Sequence, residues 1–347
     1  MKRAKNKRDV ATHAPDLSRL LDIVSAFARQ TIAVLGDFVV DEYVTGEISR
    51  VSREAPVLIL RHKQTEIIPG GGANAANNLA DLGAKALPIG AVGGDAAGDA
   101  LIEYFHRKQV DVSGIVRARG WTTTTKTRYL ARWTHTSRQQ VLRVDREPEA
   151  EMPTYIAEQI LRKSRARIRK SNAVLVSDYG AGSVTPRLVK SLRATIATLD
   201  SRYRLLEYRG VKLTAATPNE PELEALYHSK IGNDRRTLEL LGQRTLRALN
   251  LNALLVTRGK DGMVLFERAK PPYEIRVYGS DDAVDVTGAG DTVIAVFTLA
   301  LAAGASFVEA AHLANYAGGI VVMKRGTATV TRAELEAAIR GEATAGA

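Results

Sequence analysis

Short, largely apolar runs at 31–35, 173–176, 253–256 and 263–266 are flanked by turn residues such as Gly and Asp. Runs of that kind read as strands buried on both faces, as in a parallel sheet. Between them, 75–82, 186–199, 222–226 and 238–249 carry apolar residues at helical spacing. The alternation predicts βαβ units and a doubly wound α/β core. Two stretches depart from it. Residues 41–62 and 122–145 are rich in Val, Thr, Tyr and Arg and alternate polar with apolar positions, predicting strands of a small antiparallel sheet that forms a lid. No repeat and no Gly/Pro-rich linker divides the chain, so 16–340 reads as one domain. A basic tail over 1–15 and an Ala/Gly-rich tail over 341–347 read as disordered.

Composition narrows the function classes. The chain has 347 residues, 45% hydrophobic and 25% charged, and no cysteine. Thiolate metal sites and disulfides are therefore excluded. No stretch reaches the roughly 20 apolar residues of a membrane helix, and the N-terminus lacks the apolar segment of a secretory signal, so the cytoplasm is the expected location. The net charge is +11, which suits either nucleic acid or small anionic ligands. The dense basic runs are the N-terminal tail and 162–170, and neither carries a nucleic-acid motif. Neither a Rossmann G-x-G-x-x-G after the first strand nor a Walker G-x-x-x-x-G-K-[ST] occurs.

The most informative stretch is Asp285, Val286, Thr287, Gly288, Ala289, Gly290 and Asp291, followed by an apolar helical run over 292–303. Small residues at a helix start expose the N–H groups of Gly288, Ala289 and Gly290, and the helix dipole adds positive potential. Asp291, in the first turn, is placed to accept a proton from an attacking hydroxyl while those amides stabilise a transferring phosphoryl group. A glycine-rich turn ahead of a helix also serves as plain structure, and the stretch alone leaves both readings open.

Further stretches join it. Pro69 to Asn78 reads P-G-G-G-A-N-A-A-N-N, with Gly70 and Gly71 allowing close backbone approach and Asn74 offering both donor and acceptor. Asp37 ends the first strand and Asp41 follows four residues later. Asn219 and Glu222 form N-x-x-E, Thr257, Gly259 and Gly262 form T-x-G-x-x-G, and Asn315 sits in H-L-A-N-Y-A-G-G. Singly, these are also a strand-end cap, a helix start and a hairpin. Together and in this order they resemble the ribokinase-like (PfkB) carbohydrate kinases over about 300 residues. The resemblance implies a three-layer, doubly wound, mostly parallel sheet with a small antiparallel β lid, and transfer of phosphate from ATP to a sugar hydroxyl. It implies Asp291 as base beside the Gly288–Ala289–Gly290 anion hole. It places Asp37, Asp41, Gly70, Gly71, Asn74 and Asp178 at the sugar, and Asn219, Thr257, Gly259, Gly262 and Asn315 at the nucleotide. Glu222 and Asp285 fall to Mg²⁺, with a monovalent cation left open.

Within the family, the matching residues resemble the D-glycero-β-D-manno-heptose 7-phosphate kinases. They include Asp37 with Asp41 and Tyr43, Lys126-x-Arg128, Arg143-x-Asp145 and Ser177-Asp178-Tyr179. That resemblance implies phosphorylation of the anomeric O1, no nucleic-acid or membrane partner, a homodimer, and a separate nucleotidyltransferase for the next step toward ADP-heptose. Lys126, Arg128, Arg132, Arg138 and Arg143, with Arg53, are the lid cations available for the distal phosphate, Arg being suited to bidentate capture. The chain departs from the pattern at Ala181, where a lysine is usual, and at Asp200-Ser201-Arg202, where Asp-Pro-Lys is usual. A PfkB kinase for another sugar, sugar phosphate or nucleoside is therefore the alternative, and a non-catalytic sugar or nucleotide sensor the second.

Overall fold

The computed structural model describes residues 15–132, 138–202, 204–279 and 283–345, the side chains of 343–345 excepted. The basic tail thus lies almost wholly outside the described residues. After helix α1 (Leu17–Ser25), capped by Asp16, strand β1 (Thr31–Gly36) opens the core. Two long strands, β2 (Phe38–Val51) and β3 (Leu58–Gly71), then leave it and return. Helix α2 (Gly72–Asp81), β4 (Lys85–Gly93), α3 (Ala96–Arg107) and β5 (Ile115–Ala118) continue the core. A second excursion, β6 (Thr124–Arg132) and β7 (Gln139–Arg146), precedes α4 (Thr154–Ile168) and β8 (Ala173–Asp178). Then come α5 (Pro186–Lys190), β9 (Ala197–Ser201), β10 (Ala215–Ala216), α6 (Glu220–Tyr227) and α7 (Arg235–Ala248). The chain closes with β11 (Ala253–Thr257), β12 (Met263–Glu267), β13 (Tyr273–Ile275), α8 (Ala289–Ala302), α9 (Phe307–Val322) and α10 (Arg332–Ala345).

Among the described residues the large sheet has the order β13-β12-β11-β10-β9-β8-β1-β4-β5. It is parallel from β11 to β5, while β12 and β13 run antiparallel at one edge. The run at 263–266, expected in the parallel part, is thus a hairpin partner of β11. Alternate residues of β1 enter opposite cores, Ile32 and Val34 under α2, α8 and α9, Ala33 and Leu35 under α4 and α7. That double burial is why the strands read as unbroken apolar runs, and it gives the three layers. No helix among the described residues is long and apolar enough to cross a membrane.

Two expected elements differ. The helix over 186–199 stops at Lys190, and 197–201 becomes β9, whose Thr198 hydroxyl bonds that of Thr298 on α8 at 2.6 Å. Helix α10 runs to Ala345, into the segment expected to be disordered. The second sheet has the order β3-β2-β6-β7. Its two hairpins are antiparallel, but they join through a parallel β2–β6 pairing that sets Asp41 beside Lys126 and Tyr43 beside Arg128. Where β3 re-enters the core, a Cβ on either Gly36 or Gly72 would lie 2.8 Å from the other's Cα. Only glycine permits α2 to start against the end of β1.

Candidate active site

Gly288 caps α8 in the left-handed region, φ 78°, and turns the chain so that Ala289 and Gly290 begin the helix. Asp291, in the first turn, is 3% exposed. Tyr179 donates its hydroxyl to Oδ1 at 2.8 Å and Asn74 donates Nδ2 to Oδ2 at 3.0 Å. Burial pushes the Asp291 carboxyl up to about 7, against the pull of those two hydrogen bonds. A carboxylate with that proton affinity beside an anion-binding helix terminus is matched to general-base work near neutral pH.

Several residues expected at the sugar also form the frame around this carboxylate. Asn74 also reaches Gly288 O at 3.3 Å and accepts from Asn78 at 3.1 Å, so its amide is turned toward Asp291 and the cap of α8. Asp37, fully buried, accepts three backbone amides, from Tyr179 at 2.9 Å, Ala181 at 3.0 Å and Ser183 at 2.7 Å. Burial, with the neighbouring Asp178, raises its carboxyl to about 6. Asp178 accepts from Gly180 at 3.0 Å, Arg204 at 2.8 Å and Tyr208 at 2.8 Å. Together Asp37 and Asp178 fix loop 179–183 and aim Tyr179 at Asp291. Asp41 accepts from Arg128 and, at 2.7 Å, from Thr327. Gly70 lies against it, since a Cβ there would come 2.7 Å from Asp41 Oδ2, and Gly71 pairs with Phe38.

The nucleotide-side residues converge. Thr257, Gly259, Gly262 and Asn315 line a cavity of about 170 Å³ together with Ala289 and Gly290 of the anion hole. A Cβ on Gly290 would meet nothing within 4 Å, so the helix start faces open space. Asn219 and Glu222 make a reciprocal cap of α6, with bonds of 2.9 and 2.8 Å, and Asn219 bridges to Thr257 at the end of β11. Burial lifts Glu222 to about 7. Asp200 is raised well above the usual range, by burial and then by Glu222, Asp291 and Asp178. No spacing marked Asp200 as functional; it comes to the site because β9 registers it against Ser177 of β8. The Asp285 oxygens accept from the backbone N–H groups of Thr287 and Gly326, both at 2.9 Å, which orders the loop ahead of α8. Among the described residues no three acidic or histidine side chains form a metal cage. Two half-buried, neighbouring carboxylates, Asp200 and Glu222, are nonetheless the kind of hard oxygen donor that Mg²⁺ takes alongside water and phosphate.

The model of the pfkB family of carbohydrate kinases matches residues 29–334. The chain belongs to that family. It is 38% identical over 325 residues to the bifunctional protein HldE of Desulfatibacillum aliphaticivorans, covering 92% of this chain and 65% of the relative. Against HldE of Geobacter sulfurreducens it is 40% identical over 311 residues, covering 87% of this chain and 61% of the relative. The chain therefore spans somewhat less than two thirds of these relatives' length. Among solved structures, Arabidopsis thaliana ribokinase complexed with ribose and ATP matches with a TM-score of 0.67 at 20% identity, over 90% of this chain and 99% of that one. Escherichia coli phosphofructokinase-2 in complex with substrates and products matches with a TM-score of 0.72 at 17% identity, over 90% and 98%. At those identities the likeness is one of fold.

This pfkB-family chain has a second, larger cavity of about 660 Å³ between the small sheet and loop 179–182, with Tyr179 in its wall. Lys126, Arg202 and Arg204 line it, opposed by Glu147 and Glu151, and Ala181 faces it. Of the lid cations expected at a distal phosphate, only Lys126 does so. Arg128 is held by Asp41, Arg132 by Glu47 and Arg143 by Asp145. Arg202 and Arg204 follow β9 and were not among the lid candidates.

Proposed function

We propose that the chain transfers the γ-phosphoryl group of ATP to O1 of D-glycero-β-D-manno-heptose 7-phosphate. The observation that carries the reading is Asp291, set at the anion hole with its nearest donor, Tyr179, in the wall of the acceptor cavity and Gly290 in that of the nucleotide cavity. The acceptor hydroxyl gives its proton to Asp291. Asn74 and Tyr179 keep that carboxylate in place, and the amides of Gly288, Ala289 and Gly290 take up the negative charge on the transferring group. Thr257, Gly259, Gly262 and Asn315 hold the nucleotide. Mg²⁺, when bound, would supply charge neutralisation at the phosphates, and Glu222, directly or through water, with Asp200 would be the carboxylates to hold it.

The phosphorylated acceptor is supported by the cations Lys126, Arg202 and Arg204 around one cavity and by the likeness to HldE proteins. Arg202 lines the cavity that Ala181 faces, which makes up for the cation missing at 181. The product would pass to a nucleotidyltransferase in ADP-heptose synthesis. The absence of lysine at Ala181 favours the second reading, a family kinase for another sugar, sugar phosphate or nucleoside. Exposed Val51, Val57, Leu58, Val141, Leu142 and Val144 on the small sheet support assembly as a homodimer through it.

The test is ADP release from the full chain with Mg-ATP and a panel of heptose 7-phosphate, fructose 1-phosphate, fructose 6-phosphate, ribose, fructose and adenosine. Strong preference for heptose 7-phosphate is expected. Preference for another member would keep the kinase and discard this acceptor, and silence on all would remove the kinase reading.

A further inference from the structure

Thr327 lies in the turn between α9 and α10, 286 residues from Asp41 and 284 from Tyr43 in sequence, and is 4% exposed. Both halves of its side chain are used. Its Oγ1 lies 2.7 Å from Asp41 Oδ2 and 3.0 Å from Tyr43 Oη, and its backbone N–H donates to the same Tyr43 oxygen at 3.1 Å. A hydroxyl has one proton, and a carboxylate oxygen accepts. The bonds therefore run one way: Tyr43 accepts from the Thr327 amide and donates to Oγ1, which donates to Asp41. The methyl points the other way. A Cβ on Gly288 would lie 2.9 Å from Thr327 Cγ2, so the methyl rests directly on the residue that caps the anion-hole helix. The preceding residue, Gly326, donates its amide to Asp285 in the same loop.

We propose that Thr327 is a positioning residue that joins the base of the lid, Asp41 and Tyr43, to the anion hole at Gly288. An acceptor or lid movement that shifts Asp41 moves Thr327, and Thr327 sets the placement of the Gly288–Gly290 amides. Threonine is the residue the position needs: valine keeps the methyl but loses the hydroxyl, and serine keeps the hydroxyl but loses the methyl. The inference deepens the kinase reading above and rests on it for its consequence in catalysis, but the coupling itself is measurable without an acceptor.

The experiment is a double-mutant cycle read by amide hydrogen exchange over 285–291 in the full chain, with Asp41→Asn and Thr327→Val singly and together. Asp41→Asn alone is expected to speed exchange there by about fivefold, reporting local opening. In the Thr327→Val background it should add less than about twofold, the non-additivity of coupled residues. Additive effects, or no effect of Asp41→Asn on 285–291, would overturn the proposal. With an acceptor found by the panel, Thr327→Val should lower kcat by about tenfold while leaving Mg·AMP-PNP affinity within about twofold, because only the alignment of the amides is lost. An unchanged kcat would also overturn it. A wild-type chain silent toward every acceptor removes the kinase reading and leaves the exchange cycle to decide the coupling. Should Thr327→Val not fold, Tyr43→Phe replaces it in the cycle, since it removes one of the bonds that seat Oγ1.

Discussion

The hydroxyl of Tyr179 donates to Asp291 at 2.8 Å while the backbone N–H of the same residue donates to Asp37 at 2.9 Å. One residue thus ties the candidate base to a buried carboxylate on the far side of the sheet end. Asp37 is spent on anchoring loop 179–183 through three amides, and that anchoring is what makes Tyr179 a fixed donor rather than a mobile surface tyrosine. Asp291 owes its proton affinity to two opposed effects, burial raising it and the hydrogen bonds from Asn74 and Tyr179 lowering it.

Removing one of those donors has a signed consequence. In Tyr179→Phe the Asp291 carboxylate loses a lowering interaction, so its pKa rises further above about 7. A base must be deprotonated, so kcat/KM falls as pH drops through that value. The acid limb should sit near pH 7 in the wild type and move to higher pH in the variant, with kcat at pH 7 reduced by about tenfold. A pH–rate profile with an unmoved limb would remove Tyr179 from the base's surroundings.

Asp291→Asn separates activity from stability. The folded pKa, about 7, lies above the ordinary carboxylate value of 3.8. Between those values the folded state binds more protons than the unfolded one, so stability falls as pH rises, and the full penalty is present above pH 7. Asparagine removes the charge and keeps hydrogen-bonding capacity toward Asn74 and Tyr179. The variant should lose about 10²–10⁴ in kcat. Its melting temperature should match the wild type near pH 4 and exceed it at pH 8. Scanning calorimetry at both pH values checks the sign.

Much of this was legible in the chain, and what was not has physical reasons. The apolar runs of β1, β8 and β11 were readable because both faces are buried. Periodicity could not tell that 263–266 pairs antiparallel, a fact set by the turn at Arg258–Gly262, where the Arg258 N–H donates to Gly262 O at 2.9 Å and closes the hairpin. Nor could it show that the helix expected over 186–199 stops at Lys190 and gives way, after an irregular stretch, to β9 from Ala197. The turn that starts α8 and the Thr257–Gly262 turn are local motifs, readable as such, and they line one cavity. Tyr179, Asp200 and Thr327 were not assigned roles, because sheet register and one distant turn bring them to the site. Asn74, Asp37 and Asp178 were expected at the sugar, and the structure adds their hydrogen bonds around Asp291 and loop 179–183: sequence marks a residue without saying which neighbours it serves.

Gly288→Ala tests the anion hole at its most constrained point. The residue has φ 78°, and a Cβ there would lie 2.7 Å from Asn74 Nδ2 and 2.9 Å from Thr327 Cγ2. Alanine in that backbone region costs on the order of 1 kcal/mol before any clash, and here it also displaces the amide that holds Asp291. Activity should fall at least about a hundredfold, the loss typical of removing an oxyanion donor, with a lower melting temperature. Gly290→Ala is the control: with nothing within 4 Å of the new methyl, its stability should be unchanged while nucleotide KM rises.

Arg202→Ala addresses both the acceptor and the base. Arg202 lines the larger cavity with Lys126 and also lowers the proton affinity of Asp291, Asp200 and Glu222 through its charge. If it holds the distal phosphate, KM for heptose 7-phosphate should rise by about tenfold or more, the size expected for a lost charge-assisted hydrogen bond. KM for the same heptose without its phosphate should change much less. Loss of the positive charge should also move the acid limb of kcat/KM upward, since Asp291 then protonates more readily. Lys126→Ala separates the two effects, because Lys126 reaches the cavity with its charge paired to Asp145 at 3.3 Å, whereas Arg202 is the cation named among the leading causes of the Asp291 shift. It should raise KM for the phosphorylated sugar alone and leave the pH profile in place. Equal KM changes for both heptoses in both variants would take the phosphate away from this cavity, and with it the choice of a phosphorylated acceptor.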